Sequence, residues 1–329
     1  YNHFYLFTIM KKSVSVVKVL GIILLTLFLV ACKGQVQAGD QPLDTAAALR
    51  IVQTGTQGIE AKTLPNQPPN LIYDQNELVA LVEVQNRGNA DLDVTQCFMQ
   101  ITGFDTNIIS GSFGLPQSCA VNVGTLEGKN VYNVEGSTNL LEFRAPNIVL
   151  PLGVFEYNPN LNFLTCYDYH TVANPQVCVD PLFYQVTAEQ KSCTPQNVVM
   201  TGGQGAPVGI SYVAVDMVGN KAIFEINIVN NGGGRILAPG ANIQNCGSLG
   251  LDYQDLDKVR YEVSLSGGSP ISCSPIDKMV RLTNNQGKIV CSFSINSPSA
   301  FETPLFIDLD YSYIKSFQQP IKIVRTPGT

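Results

Sequence analysis

Two short stretches of the chain decide the fold class: residues 78–89, LVALVEVQNRGN, and residues 222–233, AIFEINIVNNGG. In each, a run rich in Val, Ile and Leu ends at a turn made of Asn and Gly. This pattern is typical of a buried β-strand that stops at a tight turn. The same kind of pattern recurs at Val259–Leu265, at Met279–Leu282 with Lys288–Ile295 as a hairpin, and at Phe306–Tyr313.

The composition fits a folded chain of about two domains. The 329 residues are 45% hydrophobic and only 14% charged, with 28 Gly and 19 Pro to supply turns. The net charge of −6 argues against a nucleic-acid partner, because phosphate binding needs a basic surface. Short strands separated by turn signals, without an amphipathic helical segment after position 48, predict an all-β chain of tandem immunoglobulin-like (Ig-like) β-sandwiches.

An internal repeat indicates where the domains divide. The motif TGTQG at Thr54–Gly58 matches TGGQG at Thr201–Gly205, 147 positions later. The strand and turn at Val82–Gly88 match Asn227–Gly233 in pattern, 145 positions later. We therefore predict two copies of one β-sandwich, at residues 49–195 with extended loops and at residues 196–329. A chance match of Gly-rich turns is the alternative interpretation.

The N-terminal segment has the pattern of a secretory signal. Read from Met10, which we expect to be the true start, a basic stretch with Lys11 and Lys12 precedes the apolar run Val19–Ala31. That run has the length of a signal-peptide core and is short for a membrane span. We predict a signal peptide at residues 1–31 and a flexible polar tether at residues 32–48. An uncleaved signal anchor is the alternative.

The apolar run ends in Leu29-Val30-Ala31-Cys32, which resembles the lipobox of prokaryotic lipoproteins. The resemblance implies that Cys32 is lipidated and becomes the first residue of the mature chain. It also implies an extracytoplasmic, membrane-anchored location, either on the cell surface or facing the periplasm. Whether the host is a bacterium or an archaeon stays open.

The strand-and-turn pattern apolar–polar–Val–polar–Asn–x–Gly at residues 82–88 resembles the CARDB and NEW3-like groups of Ig-fold domains. These domains occur in bacterial and archaeal surface proteins. The segments Cys166–Pro181 and Cys193–Val208 also look like parts of uncharacterised archaeal surface proteins. The resemblance covers about a third of the chain and implies an extracellular β-sandwich module. It supplies no catalytic residues.

The cysteine count points to disulfides. Without Cys32, eight of the nine cysteines remain, and an even number outside the membrane predicts disulfide bonds. Eight cysteines allow 105 pairings. Proximity favours three pairs and leaves a fourth: Cys97–Cys119, Cys166–Cys178, Cys273–Cys291 and Cys193–Cys246. Because none of the spacings is CxxC, we expect neither a metal nor a redox cofactor.

The sequence gives little support for an enzyme. After signal removal the chain keeps one histidine, His170, and it contains no GxSxG nucleophile motif. Two groups of acidic residues could serve a surface hydrolase, and the first could alternatively bind calcium. The groups are Asp252, Asp255 and Asp257, and Asp308 and Asp310. Solvated strand faces explain them more simply, and we predict a protein without catalytic activity.

Residues 155–184 form the most aromatic part of the sequence and are predicted to be a loop that Cys166 and Cys178 hold rigid. Extra strands within the stretch 100–180 are the alternative to a long loop. Tyrosines in such a loop suit contacts with a protein or a sugar. The candidate binding residues there are Tyr157, Tyr167, Tyr169, His170 and Tyr184. Packing of these rings in the core is the alternative.

The predicted function is a structural or adhesive role at the cell surface, with an envelope protein, a glycan or a second copy as partner. A glycan- or ligand-binding module that uses residues 155–184, and a surface hydrolase, are the other hypotheses.

Overall fold

In a computed structural model of the chain, the structure describes residues 52–185, 190–245, 247 and 252–327. The predicted signal peptide, Cys32, the tether and Cys246 lie outside the described residues. The described residues belong to one compact unit. Within them, no helix has the length and hydropathy that crossing a lipid bilayer requires.

The fold is built from β-strands, which confirms the all-β prediction. The strands of the N-terminal half are β1 (Ile59–Thr63), β2 (Leu71–Tyr73), β3 (Leu78–Asn86), β4 (Leu92–Asp93), β5 (Cys97–Thr102), β6 (Gln117–Ser118), β7 (Thr125–Leu126), β8 (Thr138–Ala145), β9 (Glu156–Tyr157), β10 (Asn160–Ala173) and β11 (Gln176–Val179).

The strands of the C-terminal half are β12 (Val198–Val199), β13 (Val208–Val218), β14 (Lys221–Asn230), β15 (Arg235–Leu237), β16 (Lys258–Leu265), β17 (Gly268–Ser274), β18 (Met279–Arg281), β19 (Gln286–Ile295), β20 (Phe301–Pro320) and β21 (Lys322–Val324). Short 3-10 helices lie at Ile243–Asn245 and Tyr253–Asp255.

A central sheet joins the two halves. Its strand order is β18-β16-β20-β10-β5-β6, so β16 lies beside β20 as β5 lies beside β10. Strands β10 and β20 pair antiparallel from Asn160↔Pro320 to Ala173↔Ile307. The two predicted domains, 49–195 and 196–329, therefore share one sheet instead of forming separate compact units.

Two further sheets complete the sandwich layers. They have the orders β1-β3-β8 and β12-β13-β14-β19-β17, so β3 is flanked in the first half much as β14 is in the second. Buried residues alternate along β3 and β14, as expected for strands with one face in the core. The last strand, β21, returns to the N-terminal half and pairs between β2 and β9. One continuous hydrophobic core includes residues from all of these sheets.

Four tyrosines on β10 and β20 fix the central pair against the neighbouring strands. Tyr167, Tyr169, Tyr311 and Tyr313 are buried on one face of the central sheet. Their hydroxyls are hydrogen-bonded to main-chain N–H groups, so burying these polar groups is compensated. Burial raises the pKa of all four, that of Tyr313 to about 12. The rings therefore stay neutral at physiological pH.

The hydrogen bonds of these tyrosines match between the halves. Tyr169 accepts from the Ala90 N–H at 3.2 Å. Tyr313, 144 positions later, accepts from the Gly234 N–H at 2.7 Å, and Gly234 itself follows Ala90 by 144 positions. Tyr167 accepts from the Ile59 N–H and Tyr311 from the Val208 N–H, the first residues of β1 and β13.

The Asn-x-Gly turns that end β3 and β14 match in the same way. The Asn86 amide donates to the Ala90 carbonyl at 2.7 Å and accepts from the Gly88 N–H at 3.1 Å. The Asn230 amide donates to the Gly234 carbonyl at 3.0 Å and accepts from the Gly232 N–H at 3.3 Å. Asn86 and Asn230 are thus equivalent in structure.

This equivalence shifts the sequence alignment by one residue, from the predicted offset of 145 to 144. Because residues 232–234 are all glycine, the sequence pattern alone can be aligned one residue out of register. The other matched motif contacts its own copy: the Gly55 N–H donates to the Gly202 carbonyl at 2.6 Å, and the Gly205 N–H donates to the Gly55 carbonyl at 2.9 Å.

Three disulfides are described: Cys97–Cys119, Cys178–Cys193 and Cys273–Cys291. The first and third were predicted. The predicted pairs Cys166–Cys178 and Cys193–Cys246 are wrong, because Cys178 is bonded to Cys193. Residues 166 and 178 lie on the extended β10–β11 segment, where twelve residues span about 40 Å, far beyond the reach of a disulfide.

The fourth pairing can be tested by peptide mapping. Cys166 is itself disulfide-bonded, and it packs against Ile243, three positions before Cys246. We expect a non-reducing digest to join the peptides that contain Cys166 and Cys246, besides the three described pairs. A Cys166 peptide linked to any other cysteine would contradict this assignment.

The tyrosine hydroxyls give a second prediction. Tyr313→Phe removes the acceptor of the Gly234 N–H and the donor to Asn230 Oδ1, at 2.7 and 2.8 Å. We expect it to lower the free energy of unfolding by about 1–3 kcal/mol. Tyr169→Phe should cost less within that range, because its bonds are longer.

Urea denaturation measures both changes, with Tyr132→Phe as the matched control because Tyr132 is 97% exposed. Equal stability of Tyr313→Phe and the control would show that these hydroxyls do not stabilise the fold.

Candidate functional site

The candidate site lies on the outer face of the central sheet, opposite the tyrosines. Because side chains alternate along a strand, Tyr167 and Tyr169 face the core while Asp168 and His170 face outward. In the sheet register His170 pairs with Asp310, and Asp310 pairs with Arg260 on its other side. His170, Asp310 and Arg260 therefore form one row across β10, β20 and β16, which we call the charged row.

A cavity of about 210 Å³ opens over this row. Besides the charged row, its polar side chains come from Asp91, Gln96 and Asp168. The Arg260 Nε lies 3.5 Å from Asp310 Oδ2, and both side chains are about half exposed. The cavity thus presents carboxylates, an imidazole and a guanidinium to solvent at one place.

Two carboxyl groups on this face have raised pKa values. Burial raises the pKa of Asp168, and the hydrogen bond from the Ser312 hydroxyl partly opposes that rise. Burial also raises the pKa of Asp308, followed by repulsion from Asp310 and Glu262, and His170 partly opposes it. Such shifts are found most often where titratable groups gather at functional sites.

Ser312, His170 and Asp168 are the residue types of a nucleophilic triad, but their arrangement here differs from one. The Ser312 hydroxyl is fully buried and donates to Asp168 Oδ1 at 2.5 Å and to the Ala238 carbonyl at 3.2 Å. In a triad, the serine hydroxyl is instead hydrogen-bonded to the histidine and accessible to substrate. The Ser312 hydroxyl therefore holds the Asp168 carboxylate in place, and Asp168 and His170 line the cavity.

The predicted recognition loop at residues 155–184 is wrong as a loop, because this segment contains β9, β10 and β11. Tyr167 and Tyr169 are buried core residues, since their positions alternate inward along β10. Tyr157 is half-buried, and its hydroxyl accepts from the Asp105 N–H at 2.8 Å. Tyr184 is exposed and packs edge-on against Phe183. Of the five predicted binding residues, His170 and the buried Tyr169 line the cavity.

The two predicted acidic groups lie in different places. Asp252 caps a 3-10 helix by accepting from the Gln254 N–H, and Asp257 pairs with Arg235 at 3.3 Å. Asp255 is part of the same 3-10 helix, and its carbonyl accepts from the Ala238 N–H. Across the described ranges, no group of three or more His, Cys, Asp or Glu residues is arranged to hold a metal ion.

Asp308 and Asp310 share the outer face of β20, as their spacing had indicated. Their neighbours Arg260 and Asp168 are not among the site residues predicted from the sequence. The alternation of polar residues on β10 and β16 gives the outward face of each strand. Only the pairing register shows that these faces meet.

No family model matches the chain, and no curated protein matches its sequence. Among solved structures, an alignment exists with the secreted serine protease VesC from Vibrio cholerae, at 10% identity and a TM-score of 0.19. It covers 84% of this chain and 53% of the protease, so the chain spans about half the length of that protein. At this TM-score the alignment supports no conclusion about fold or activity.

The raised pKa of Asp168 predicts how stability depends on pH. A carboxyl whose pKa is higher in the native state binds its proton more tightly when folded, so its ionisation reduces stability as pH rises above 3.8. Asp168→Asn removes this ionisation and keeps an oxygen for the Ser312 hydroxyl. We expect the stability of the variant relative to wild type to increase from pH 4 to pH 7.

Thermal unfolding across this pH range measures the difference. A wild type that gains stability relative to Asp168→Asn as pH rises would show that the carboxylate is favourably placed in the fold, contrary to this account.

Proposed function

We propose that this protein is a non-catalytic lipoprotein with a structural or adhesive role at the cell surface, anchored through a lipid on Cys32. The all-β, disulfide-bonded fold is of a kind typical of extracellular proteins. The observation that carries the proposal is the joining of two matching halves by one fourteen-residue strand pair, β10 with β20. A protein whose two halves are joined in this way can bear load or hold a binding surface in a fixed position.

The disulfides support the same role because they tie strands to their neighbours. Cys273–Cys291 links the edge strand β17 to β19. Cys97–Cys119 closes a 22-residue separation beside β5, and the chain-entropy model gives a loop of this size about 3–4 kcal/mol. Such cross-links resist unfolding where no chaperone acts on the protein.

One fixed loop supports an adhesive function. Leu152 and Phe155, in the segment before β9, are 96% and 73% exposed. Arg325 holds this segment by donating to the carbonyls of Leu150, Pro151 and Val154 at 3.2, 2.6 and 3.0 Å. Exposed apolar side chains on an already ordered loop lose little entropy when they bind a partner.

The anchoring is tested by substituting the lipidated cysteine. We expect Cys32→Ala to move the protein from the detergent phase to the aqueous phase in a phase-partition assay of whole cells. The matched control, Lys33→Ala, keeps the four lipobox residues and should stay in the detergent phase. A Cys32→Ala protein that partitions as wild type would rule out lipid on Cys32 as the anchor.

The role is tested by cross-linking mass spectrometry on intact cells that express the wild-type protein. Dominant links between copies support a structural coat, and dominant links from the 150–155 loop to one envelope partner support adhesion. A substrate turnover that is abolished by substituting His170 or Asp310 would overturn the non-catalytic proposal.

A further inference from the structure

The two halves differ most clearly at one pair of equivalent positions on the outer face of the central sheet. Across β5, β10 and β20, the residues Phe98, Cys166 and Ile314 lie in one row, with Cys166 paired to both neighbours. The charged row occupies the matching positions across β16, β20 and β10, with Asp310 paired to both neighbours. We call the first set the apolar row.

The apolar row is covered and the charged row is open. Ile243, from the 3-10 helix at Ile243–Asn245, packs on Cys166 together with Phe98 and Ile314. Over the charged row lies the 210 Å³ cavity instead. The sheet can therefore fill this position with apolar side chains, and nothing in the strand pairing requires charges there.

The charges do little to stabilise the fold. The Arg260–Asp310 pair is long, at 3.5 Å, and about half exposed. Exposed ion pairs of this kind add little to stability. Asp168, in the cavity wall, is destabilised in its ionised form by burial. A group of polar side chains that adds little stability, lines a cavity and replaces an apolar cluster in the matching half has the properties of a binding site.

We propose that this cavity binds a single sugar unit with neutral or amine substituents. Asp91, Asp168 and Asp310 offer carboxylate oxygens that accept from sugar hydroxyls, and Arg260 and His170 offer N–H donors to hydroxyl or ring oxygens. Three carboxylates face one guanidinium in the cavity. This excess of negative charge disfavours phosphorylated or carboxylated ligands.

The size of the cavity limits the ligand to one ring. Pockets for drug-sized ligands measure about 300–1,000 Å³, and this cavity has about 210 Å³. A terminal sugar of an envelope glycan fits both this size and the surface location proposed above. The site itself does not depend on the lipid anchor, so purified protein is sufficient to test it.

The experiment follows the His170 imidazole by NMR, with the signal assigned from a His170→Gln variant. Galactose, glucosamine and N-acetylglucosamine are titrated separately to tens of millimolar, with glucuronate as the anionic comparison and CaCl₂ as the cation comparison. We expect saturable shifts with at least one of the three sugars. Glucuronate and calcium should be at least tenfold weaker.

Variants locate the binding. Asp310→Asn and Arg260→Gln should each weaken the sugar at least tenfold while the melting temperature stays near that of wild type. The matched control is Glu225→Gln, an exposed strand carboxylate paired with Lys288 on a different sheet, and it should bind as wild type.

Three results would overturn the proposal: none of the three sugars shifts His170, glucuronate or calcium binds more tightly than the sugars, or the two cavity variants bind as tightly as the control. The wild-type titration decides the first two even if a variant fails to fold. Failure here leaves the anchoring and cross-linking results unaffected, since those do not use the cavity.

Discussion

The antiparallel pairing of β10 with β20 is the interaction on which the rest of the structure depends. It joins the two halves, and it places four tyrosines side by side in the core. Each hydroxyl satisfies a main-chain N–H at a strand start or just after an Asn-x-Gly turn. Pairing, core packing and turn geometry are therefore coupled, because displacing one strand would leave buried donors without acceptors.

The same pairing creates the candidate site. Because side chains alternate along a strand, every second residue of β10 and β20 lies on the outer face. There the strand pairing does not require a particular residue type. In one half these outer positions form an apolar cluster under Ile243, and in the other half Arg260, Asp310 and His170 line a cavity. The near-symmetry of the fold thus makes the charged row visible as a departure from its counterpart.

The sequence predicted the strands well where apolar residues dominate. Leu78–Val84 and Ala222–Val229 fall inside β3 and β14, and Phe306–Tyr313 falls inside the longer β20. The predicted hairpin at 279–295 does turn at Asn284 and Asn285, which have positive φ. However, β18 pairs in the central sheet and β19 pairs with β14. The local sequence pattern therefore predicts the turn but not the strands with which β18 and β19 pair.

What the sequence could not give was long-range register. The aromatic density of residues 155–184 and the two cysteines among them predict a loop, whereas Tyr167 and Tyr169 are buried along β10. Its partner strand lies 134 to 160 positions away along the chain. The cysteine errors have the same cause, since short sequence separation along an extended strand means a large distance in space.

Hydrogen exchange under native conditions tests the central claim most directly. If β10 and β20 hold the halves together, the amides of both strands, and those of β3 and β14, exchange only through one global unfolding with a common free energy. The account predicts this single value in both halves across a denaturant series. Two separate values, with the amides of one half exchanging while the other half stays protected, would contradict it.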